Sequence, residues 1–163
     1  MRPYVFGGWL TITRDCQARC DWCYARDSKY NKDIMPVSLV REVCEIIVST
    51  GAESVILIGG EPTMHPDFFE IVRIVRQYGM RPDLITNGFK LASQAFVDQM
   101  VKERIGVVSL SLKAPSNHDY QRFTGIRRGY SLVRRAFENC REAQLPLRKV
   151  ARRGCSYGAG RDL

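Results

Sequence analysis

The sequence contains no long apolar run and no targeting segment. No stretch approaches the roughly 18 consecutive apolar residues that a membrane-spanning helix requires. Residues 1–15 also lack the continuous apolar segment and the small-residue cleavage site that mark a secretory signal peptide. We therefore expect a cytoplasmic protein that does not contact a membrane.

The sequence also lacks the basic stripe, interleaved with aromatic residues, of a protein that stacks on nucleotide bases. Its formal net charge is +8, but half of this excess lies at the C-terminal end, where the five basic residues of 146–163 outnumber the acidic ones by four. A mildly basic body with a basic end is ordinary for a globular protein. We therefore expect no nucleic-acid partner.

Cysteines are few and unevenly spread. There are 6 in 163 residues, and Cys16, Cys20 and Cys23 lie close together whereas the others are isolated. In a reducing compartment cysteines are metal ligands or small buried residues more often than disulfides. Cys44 and Cys140 fall on the apolar stripes of predicted helices, so we expect them in the core. The triplet is the candidate metal site.

Strand-like runs alternate with amphipathic helical patterns four times. Strands are predicted at 9–13, 54–58, 83–86 and 107–112, and helices begin near residues 36, 67, 93 and 131. Four βα units in succession imply an α/β fold with parallel strands and right-handed crossovers. A closed barrel of eight units needs about 250 residues, so the sheet is open or truncated.

The pattern divides the chain into a core and a tail. We predict an incomplete core domain over residues 1–146 and a basic, disordered tail over residues 147–163, because the tail has neither alternation nor a sustained apolar run. The fourth strand would then expose an edge that invites pairing with another chain. The segment 113–129 is predicted to be a long loop, and His65 and His118 are predicted at the surface.

The cysteine triplet has the spacing C-x3-C-x2-C. Three thiolates on one loop can bind three irons of a cubane cluster, and the iron without a protein ligand stays open for a small molecule. A structural zinc site would require a fourth Cys or His, and none lies between Tyr24 and Cys44. Three core cysteines are the other alternative, but the surrounding stretch is rich in charged residues. A [4Fe–4S] cluster is the favoured interpretation.

The next three strands also end in polar or glycine-rich motifs. Gly59-Gly60-Glu61-Pro62 follows the second strand, where glycines allow close approach to a ligand and a carboxylate can accept from an ammonium. Thr86-Asn87-Gly88 follows the third. Both motifs could instead be plain turns. Ser109, Ser111 and Lys113 alternate along the fourth strand, so they share one face.

Together these motifs resemble those of the radical S-adenosylmethionine (radical SAM) superfamily. The resemblance covers about residues 8 to 145 and is to the N-terminal part of the family's core domain, of which this chain would be a truncated form. The hallmark of that family is C-x3-C-x-Φ-C with an aromatic residue at Φ, here Trp22, followed by GGE(P) and T-N-G at the next strand ends. The resemblance implies a partial TIM-like (β/α) barrel with about four of six βα units. It also implies two cofactors, a [4Fe–4S] cluster and S-adenosylmethionine.

The resemblance assigns roles to individual residues. Glu61 would hold the methionine ammonium, and Ser111 is the preferred contact for the ribose or the carboxylate. Tyr24 would cover the adenine or else pack in the core. Lys113 departs from the family pattern, since many relatives have an acidic residue near this position, and we expect it at a solvated strand end. The implied metal ligands are Cys16, Cys20 and Cys23; the implied cofactor-binding residues are Trp22, Tyr24, Gly59, Gly60, Glu61, Pro62, Thr86, Asn87, Ser109 and Ser111.

The resemblance also implies an activity and partners. The enzyme would take electrons from an external flavodoxin- or ferredoxin-type donor, cleave S-adenosylmethionine to a 5′-deoxyadenosyl radical, and abstract hydrogen from an unidentified peptide or small molecule. Two alternatives stay open. One is an iron–sulfur electron-transfer module, which would have no need of Gly59-Gly60-Glu61; the other is an inactive truncated product.

Overall fold

The computed structural model describes residues 7–24 and 33–151, and for the last three of these the backbone only. This part of the chain forms five strands and five helices, with one helix between successive strands except for two between the fourth and the fifth: β1 Gly8–Thr13, α1 Val37–Ser49, β2 Ser54–Gly59, α2 Phe68–Gln77, β3 Arg81–Thr86, α3 Gln94–Lys102, β4 Val108–Leu112, α4 Asn117–Thr124, α5 Gly129–Glu142 and β5 Leu147–Ala151. Short 3-10 turns cover Pro62–Met64 and Lys90–Ala92.

The strands form one open parallel sheet in the order β1-β2-β3-β4-β5. Thr13 pairs with Gly59 at the ends of β1 and β2, and Thr86 of β3 pairs with Leu110 of β4. Parallel strands bring all their C-terminal ends to the same edge of the sheet. The loops that carry the sequence motifs therefore meet there, and the predicted open α/β fold is confirmed.

The core lies between the sheet and the helices. Alternate strand residues such as Ile12, Leu57 and Leu84 are fully buried, and α1 and α2 contribute Val40 and Ile71 to the same cluster. The lone cysteines of α1 and α5 are also fully buried, which confirms that they are core residues. None of the helices in the described part of the chain is long and apolar enough to cross a bilayer.

The predicted loop after β4 is wrong in part, because it contains helix α4. Ser116 caps this helix by accepting from the Asp119 amide at 3.1 Å, and Gly125 ends it with a left-handed φ of 75°. Only Tyr120 and Thr124 of the helix are buried. Two buried residues one turn apart leave almost no apolar stripe, so the sequence periodicity did not reveal the helix.

The predicted tail is wrong at its start, because residues 147–151 form β5. This strand pairs in parallel with β4, from Val108 opposite Leu147 to Leu112 opposite Ala151. Main-chain pairing with β4 stabilises β5, and such pairing requires no side-chain alternation that a sequence pattern could reveal. The edge of β4 is consequently covered. The remaining residues of the predicted tail, 152–163, lie outside the described residues.

Candidate functional site

The cysteine loop, residues 14–24, leaves the end of β1 and lies against the turn that follows β2. The Gly60 amide donates to the Thr13 carbonyl at 2.9 Å, and the Glu61 amide donates to the Asp15 carbonyl at 2.8 Å. The Asp15 amide in turn donates to Thr13 Oγ1 at 3.0 Å. The start of the loop is therefore held to the turn by two main-chain hydrogen bonds just before Cys16.

Glycine is required at this contact. A Cβ added at Gly60 would collide with the carbonyl oxygens of Arg14 and Asp15, and one at Gly59 would collide with that of Thr13. Gly59 also has a φ of 149°, which L side chains rarely adopt. The sequence predicted that these glycines allow the backbone to approach a ligand closely. In the structure, their missing side chains allow the cysteine loop to lie directly on the turn.

The chain returns to the sheet through a second set of contacts. The Met35 amide donates to the Ile12 carbonyl at 2.9 Å, and the Arg14 amide donates to the Asp33 carbonyl at 2.8 Å.

The predicted surface position of His65 is wrong, because its side chain is only 2% exposed. The Asp67 amide donates to His65 Nδ1 at 3.0 Å, so Nε2 carries the hydrogen and donates to the Met35 carbonyl at 2.9 Å. His118 is exposed, as predicted.

Helix α4 holds the middle of the cysteine loop. The Arg19 amide donates to the Thr124 carbonyl at 2.9 Å, and the Asp21 amide donates to the Phe123 carbonyl at 3.1 Å. These carbonyls belong to the last turn of α4, where helix carbonyls lack intrahelical partners. The Trp22 ring lies 5.8 Å from the Phe123 ring. The loop is thus braced from across the sheet by an element that the sequence analysis missed.

The three thiols of the loop influence one another. Burial raises the pKa of Cys16 to about 11, and the neighbouring charges of Glu61, Cys20 and Cys23 act in the same direction. Burial also raises the pKa of Cys20, while the Lys113 ammonium opposes this shift. Such mutual effects require thiols that lie close together. Binding iron would therefore have to displace protons from at least these two thiols.

The donor set fits a cubane cluster. In the parts of the chain that the structure describes, no three His, Cys, Asp or Glu side chains converge on the position of a single metal ion. A cubane is larger than an ion and takes one thiolate on each of three irons, so neighbouring thiols on one braced loop suit it. Cys16 and Cys20 are half-buried and Cys23 is exposed at the same end of the sheet.

Glu61 lies inside the protein at this edge of the sheet. Its side chain is 0% exposed, and its Oε1 accepts from Thr63 Oγ1 and Thr86 Oγ1, both at 2.6 Å, and from the Thr63 amide at 3.2 Å. Its Oε2 accepts from the Asn87 amide at 2.7 Å. Burial raises the pKa of the carboxyl group, and these four hydrogen bonds oppose the shift. The carboxylate therefore joins the turn after β2 to the end of β3.

Asn87 lies between that carboxylate and the cysteine loop. Its Nδ2 is 3.8 Å from Cys16 Sγ and 3.3 Å from Gln17 Oε1, and its Oδ1 accepts from the Phe89 amide at 3.1 Å. Thr86, beside it, is buried and also accepts from the Gly88 amide at 2.9 Å. Residues from three strand ends are thus joined in one hydrogen-bonded group.

The residues predicted on β4 lie at the adjacent strand end. Ser109 is buried, whereas Ser111 and Lys113 are half-buried. The Lys113 ammonium lies near enough to Cys20 to oppose the rise that burial causes in the pKa of that thiol. The Lys113 amide donates to Tyr120 Oη at 2.9 Å, which fixes the end of the strand against α4.

The remaining predicted contacts differ in exposure. Pro62 is buried in the turn after β2, and Trp22 is half-buried against α4. Tyr24 is 78% exposed, so it does not pack in the core, which was one of its two predicted roles. Its ring is available to a bound molecule, and its contact with the adenine stays a prediction.

Sequence reasoning missed several residues that shape the site, namely Gln17, Thr63, His65 and Thr124. Gln17 directly follows Cys16, and Thr63 directly follows Pro62. The sequence around them indicated only that each carries a side chain able to form hydrogen bonds. Thr124 could have been found through the Ser116-x-x-Asp119 pattern, which is typical of a capped helix. His65 had no such signal, because its partner Met35 is distant in the sequence.

Comparisons with known proteins identify relatives. Residues 10–152 match the sequence profile of the radical SAM superfamily. A probable GTP 3′,8-cyclase of Saccharolobus islandicus is 30% identical over 118 residues, covering 72% of this chain and 38% of the relative. The GTP 3′,8-cyclase of Actinobacillus pleuropneumoniae is 30% identical over 145 residues, covering 84% of this chain and 42% of the relative.

A solved structure shares the fold. The native anSMEcpe protein with bound AdoMet and Kp18Cys peptide superposes with a TM-score of 0.71 at 19% identity, over 89% of this chain and 43% of that chain. This identity supports the similarity of fold alone. The chain spans about two-fifths of the length of these relatives.

Proposed function

The chain belongs to the radical SAM superfamily, and we propose that Cys16, Cys20 and Cys23 hold its [4Fe–4S] cluster for reductive cleavage of S-adenosylmethionine. The superfamily uses these two cofactors, which confirms that pair as predicted from the sequence. One observation carries the assignment of residues. The only closely spaced cysteines of the sequence lie on a loop that is braced against the glycine turn and against α4.

The chemistry that the cofactors supply when bound is a one-electron reduction. An external flavodoxin- or ferredoxin-type donor would supply the electron through the cluster to S-adenosylmethionine, and cleavage of the sulfonium C–S bond would give methionine and a 5′-deoxyadenosyl radical that would take a hydrogen atom from the substrate. The protein residues must therefore hold three irons, leave the fourth open, and place S-adenosylmethionine beside it.

The glycine turn, residues 59–62, is the proposed site of the methionine ammonium. The Glu61 carboxylate is bonded to Thr63, Thr86 and Asn87, so in this proposal it acts chiefly by holding the turn and by supplying negative charge behind it. Backbone carbonyls of the turn would then accept from the ammonium. Pro62 and Thr86 complete the wall of this part of the site.

The β4 side is the proposed site of the ribose and the methionine carboxylate. Ser109 and Ser111 offer hydroxyl groups on one strand face, and the nearby Lys113 ammonium suits a carboxylate. Trp22 and Tyr24 lie at the end of the cysteine loop and are the proposed aromatic contacts of the adenine. These assignments rest on position at the shared strand edge and on the chemistry of each side chain.

The substrate and the partners are further proposals. The relatives at 30% identity are named GTP 3′,8-cyclases, which favours a nucleotide or similar small molecule; the peptide bound to anSMEcpe supports a peptide only through the shared fold. An oxygen-sensitive cluster with an open iron suits the reducing cytoplasm, where electron donors are available. Incubation of the reduced protein with S-adenosylmethionine and either GTP or peptides would separate these substrates by mass spectrometry.

Anaerobic reconstitution tests the cluster assignment. We expect about four irons and four sulfides per chain, and a reduced EPR signal that changes when S-adenosylmethionine is added. Cys16→Ala, Cys20→Ala and Cys23→Ala should each abolish cluster binding, whereas the core variant Cys44→Ala should keep it. A requirement for Cys44 would contradict the three-ligand site. A loaded cluster whose EPR signal ignores S-adenosylmethionine would favour the electron-transfer module.

A further inference from the structure

We propose that Asn87 is a positioning residue whose carboxamide donates a hydrogen bond to the Cys16 thiolate and thereby raises the reduction potential of the cluster. The inference rests on the proposed function, because it requires a cluster on Cys16. Asn87 Nδ2 lies 3.8 Å from Cys16 Sγ, a distance within the longer reach of sulfur acceptors.

The orientation of the carboxamide follows from its other contacts. The Phe89 amide lies 3.1 Å from Asn87 Oδ1. Because a backbone N–H can only donate, the atom that faces it must be the oxygen. The NH₂ group of Asn87 is then the end that faces Cys16. Its second hydrogen is directed to Gln17 Oε1 at 3.3 Å.

Gln17 reinforces this orientation from the cysteine loop. Its Nε2 donates to Asn87 Oδ1 at 3.4 Å, so the two side-chain amides form a reciprocal pair. Gln17 directly follows Cys16 in the sequence. The pair therefore keeps the Asn87 carboxamide next to the first cysteine of the triplet.

The backbone of Asn87 is fixed from the opposite side. Its amide donates to Glu61 Oε2 at 2.7 Å, and the residue is only 8% exposed. A hydrogen bond to a carboxylate in a buried site is short and strong. Glu61 thus sets the position of the Asn87 main chain, and the Phe89 and Gln17 contacts set its side chain.

A donor to a ligand sulfur has a definite effect on an iron–sulfur cluster. The reduced cluster carries one more negative charge than the oxidised cluster, so an N–H that points at a thiolate stabilises the reduced form more. A side-chain change at Asn87 leaves all three cysteine ligands, Cys16, Cys20 and Cys23, in place. Loss of the Asn87 donor should therefore lower the potential without removing the cluster.

The test variant is Asn87→Ser, because a serine hydroxyl can still accept from the amide two residues on but is too short to reach Cys16. The holoprotein is titrated against potential with EPR detection, and its iron content is measured in parallel. We expect full iron content and a roughly tenfold lower ratio of reduced to oxidised cluster at a fixed potential, equivalent to about 59 mV for one electron.

Two further variants complete the experiment. Asn87→Ala removes both the NH₂ donor to Cys16 and the oxygen that accepts from the Phe89 amide. It should lower the reduction potential by a similar amount. The control Asn117→Ala removes a carboxamide that makes two hydrogen bonds, both to Ser131 and none to the cysteine loop; its potential should equal that of the wild type.

Each outcome decides the proposal. A fully loaded Asn87→Ser protein with the wild-type potential would overturn the inference. Failure of both Asn87 variants to hold iron, with Asn117→Ala loaded, would also overturn it, since the residue would then be purely structural. Absence of a cluster from the wild-type protein would instead contradict the proposed function.

Discussion

The backbone amide of Asn87 donates a 2.7 Å hydrogen bond to Oε2 of Glu61, which joins the end of β3 to the turn after β2. Two motifs that the sequence presents 26 residues apart are therefore one structural unit. The carboxylate of Glu61 is the centre of this unit, because Thr63 and Thr86 also donate to it. The unit supports both the glycine turn and the first cysteine of the triplet.

The first prediction concerns Glu61→Gln. A glutamine keeps the shape, but its NH₂ group must face either the hydroxyl donors or the Asn87 amide, and the negative charge is lost. We expect the free energy of unfolding to fall by about 1–3 kcal/mol, measured by chemical denaturation. S-adenosylmethionine affinity should also fall by a factor of roughly 10 to 150 with the cluster intact.

The matched control is Glu45→Gln on the exposed face of α1, which should change neither quantity. Equal stability of the Glu61→Gln protein and the wild type would show that the negative charge and the second acceptor oxygen of Glu61 contribute nothing net. Equal cofactor affinity would remove Glu61 from the ammonium site altogether.

A second prediction concerns Gly60→Ala. The added Cβ would collide with two backbone carbonyls of the cysteine loop, and backbone cannot rotate away as a flexible side chain can. We expect iron content to fall sharply and the unfolding free energy to drop by about 1–3 kcal/mol. Gly79→Ala is the control for iron content, because no atom lies within 4 Å of its added Cβ and only its φ of 77° is strained; it should keep its iron. A Gly60→Ala protein with full iron content would show that the loop need not lie on the turn.

The third prediction concerns the brace from α4. Gly125 has a φ of 75° and open space around its Cβ position, so Gly125→Ala strains only the backbone, by roughly 1–2 kcal/mol. Weakening the last turn of α4 should speed hydrogen exchange at the Arg19 and Asp21 amides, which bond to that turn. Native-state exchange measured by NMR or mass spectrometry would detect this.

Gly51→Ala provides the control for that strain. Gly51 ends α1 with a φ of 83° and equally open surroundings, so the same substitution costs a similar amount at a distant helix end. Exchange at Arg19 and Asp21 should then stay at the wild-type rate. Identical exchange in the Gly125 and Gly51 variants would mean that α4 does not hold the loop.

A fourth prediction uses the titration of Asp119 in the first turn of α4. The hydrogen bond from Ser116 lowers the pKa of Asp119 below its ordinary value of 3.8. A carboxyl group with a lowered pKa stabilises the folded state above its ordinary pKa, and this contribution is lost as the pH falls through the lowered value. An NMR titration should therefore show Asp119 titrating below its ordinary range, with α4 losing stability there.

Ser116→Ala should return the pKa of Asp119 towards its ordinary value, because it removes a 2.7 Å hydrogen bond. Ser93→Ala is the control, since Ser93 is also an N-cap residue but makes no side-chain capping bond. An unchanged Asp119 titration in the Ser116 variant would assign the shift to the nearby His118 and Arg122 charges instead.

The sequence by itself determined the α/β order, the cluster ligands as a hypothesis, and the residues at the strand ends. These features depend on local spacing and periodicity. The three cysteines lie on one short loop, the glycines directly follow an apolar run, and the spacing of apolar residues changes from the period of 2 of a strand to the period of 3.6 of a helix. The parallel sheet then followed from the alternation of strands and helices. Such signals are carried by neighbouring residues.

Only the tertiary structure decided what those residues touch. It directed the Glu61 carboxylate inwards to Thr86 and Asn87, buried His65 against Met35, and placed the end of α4 on the cysteine loop. It also added β5, which pairing with β4 stabilises. The physical reason is that buried polar groups take whichever partners the packed strand ends bring within reach, and those partners lie far away in the sequence.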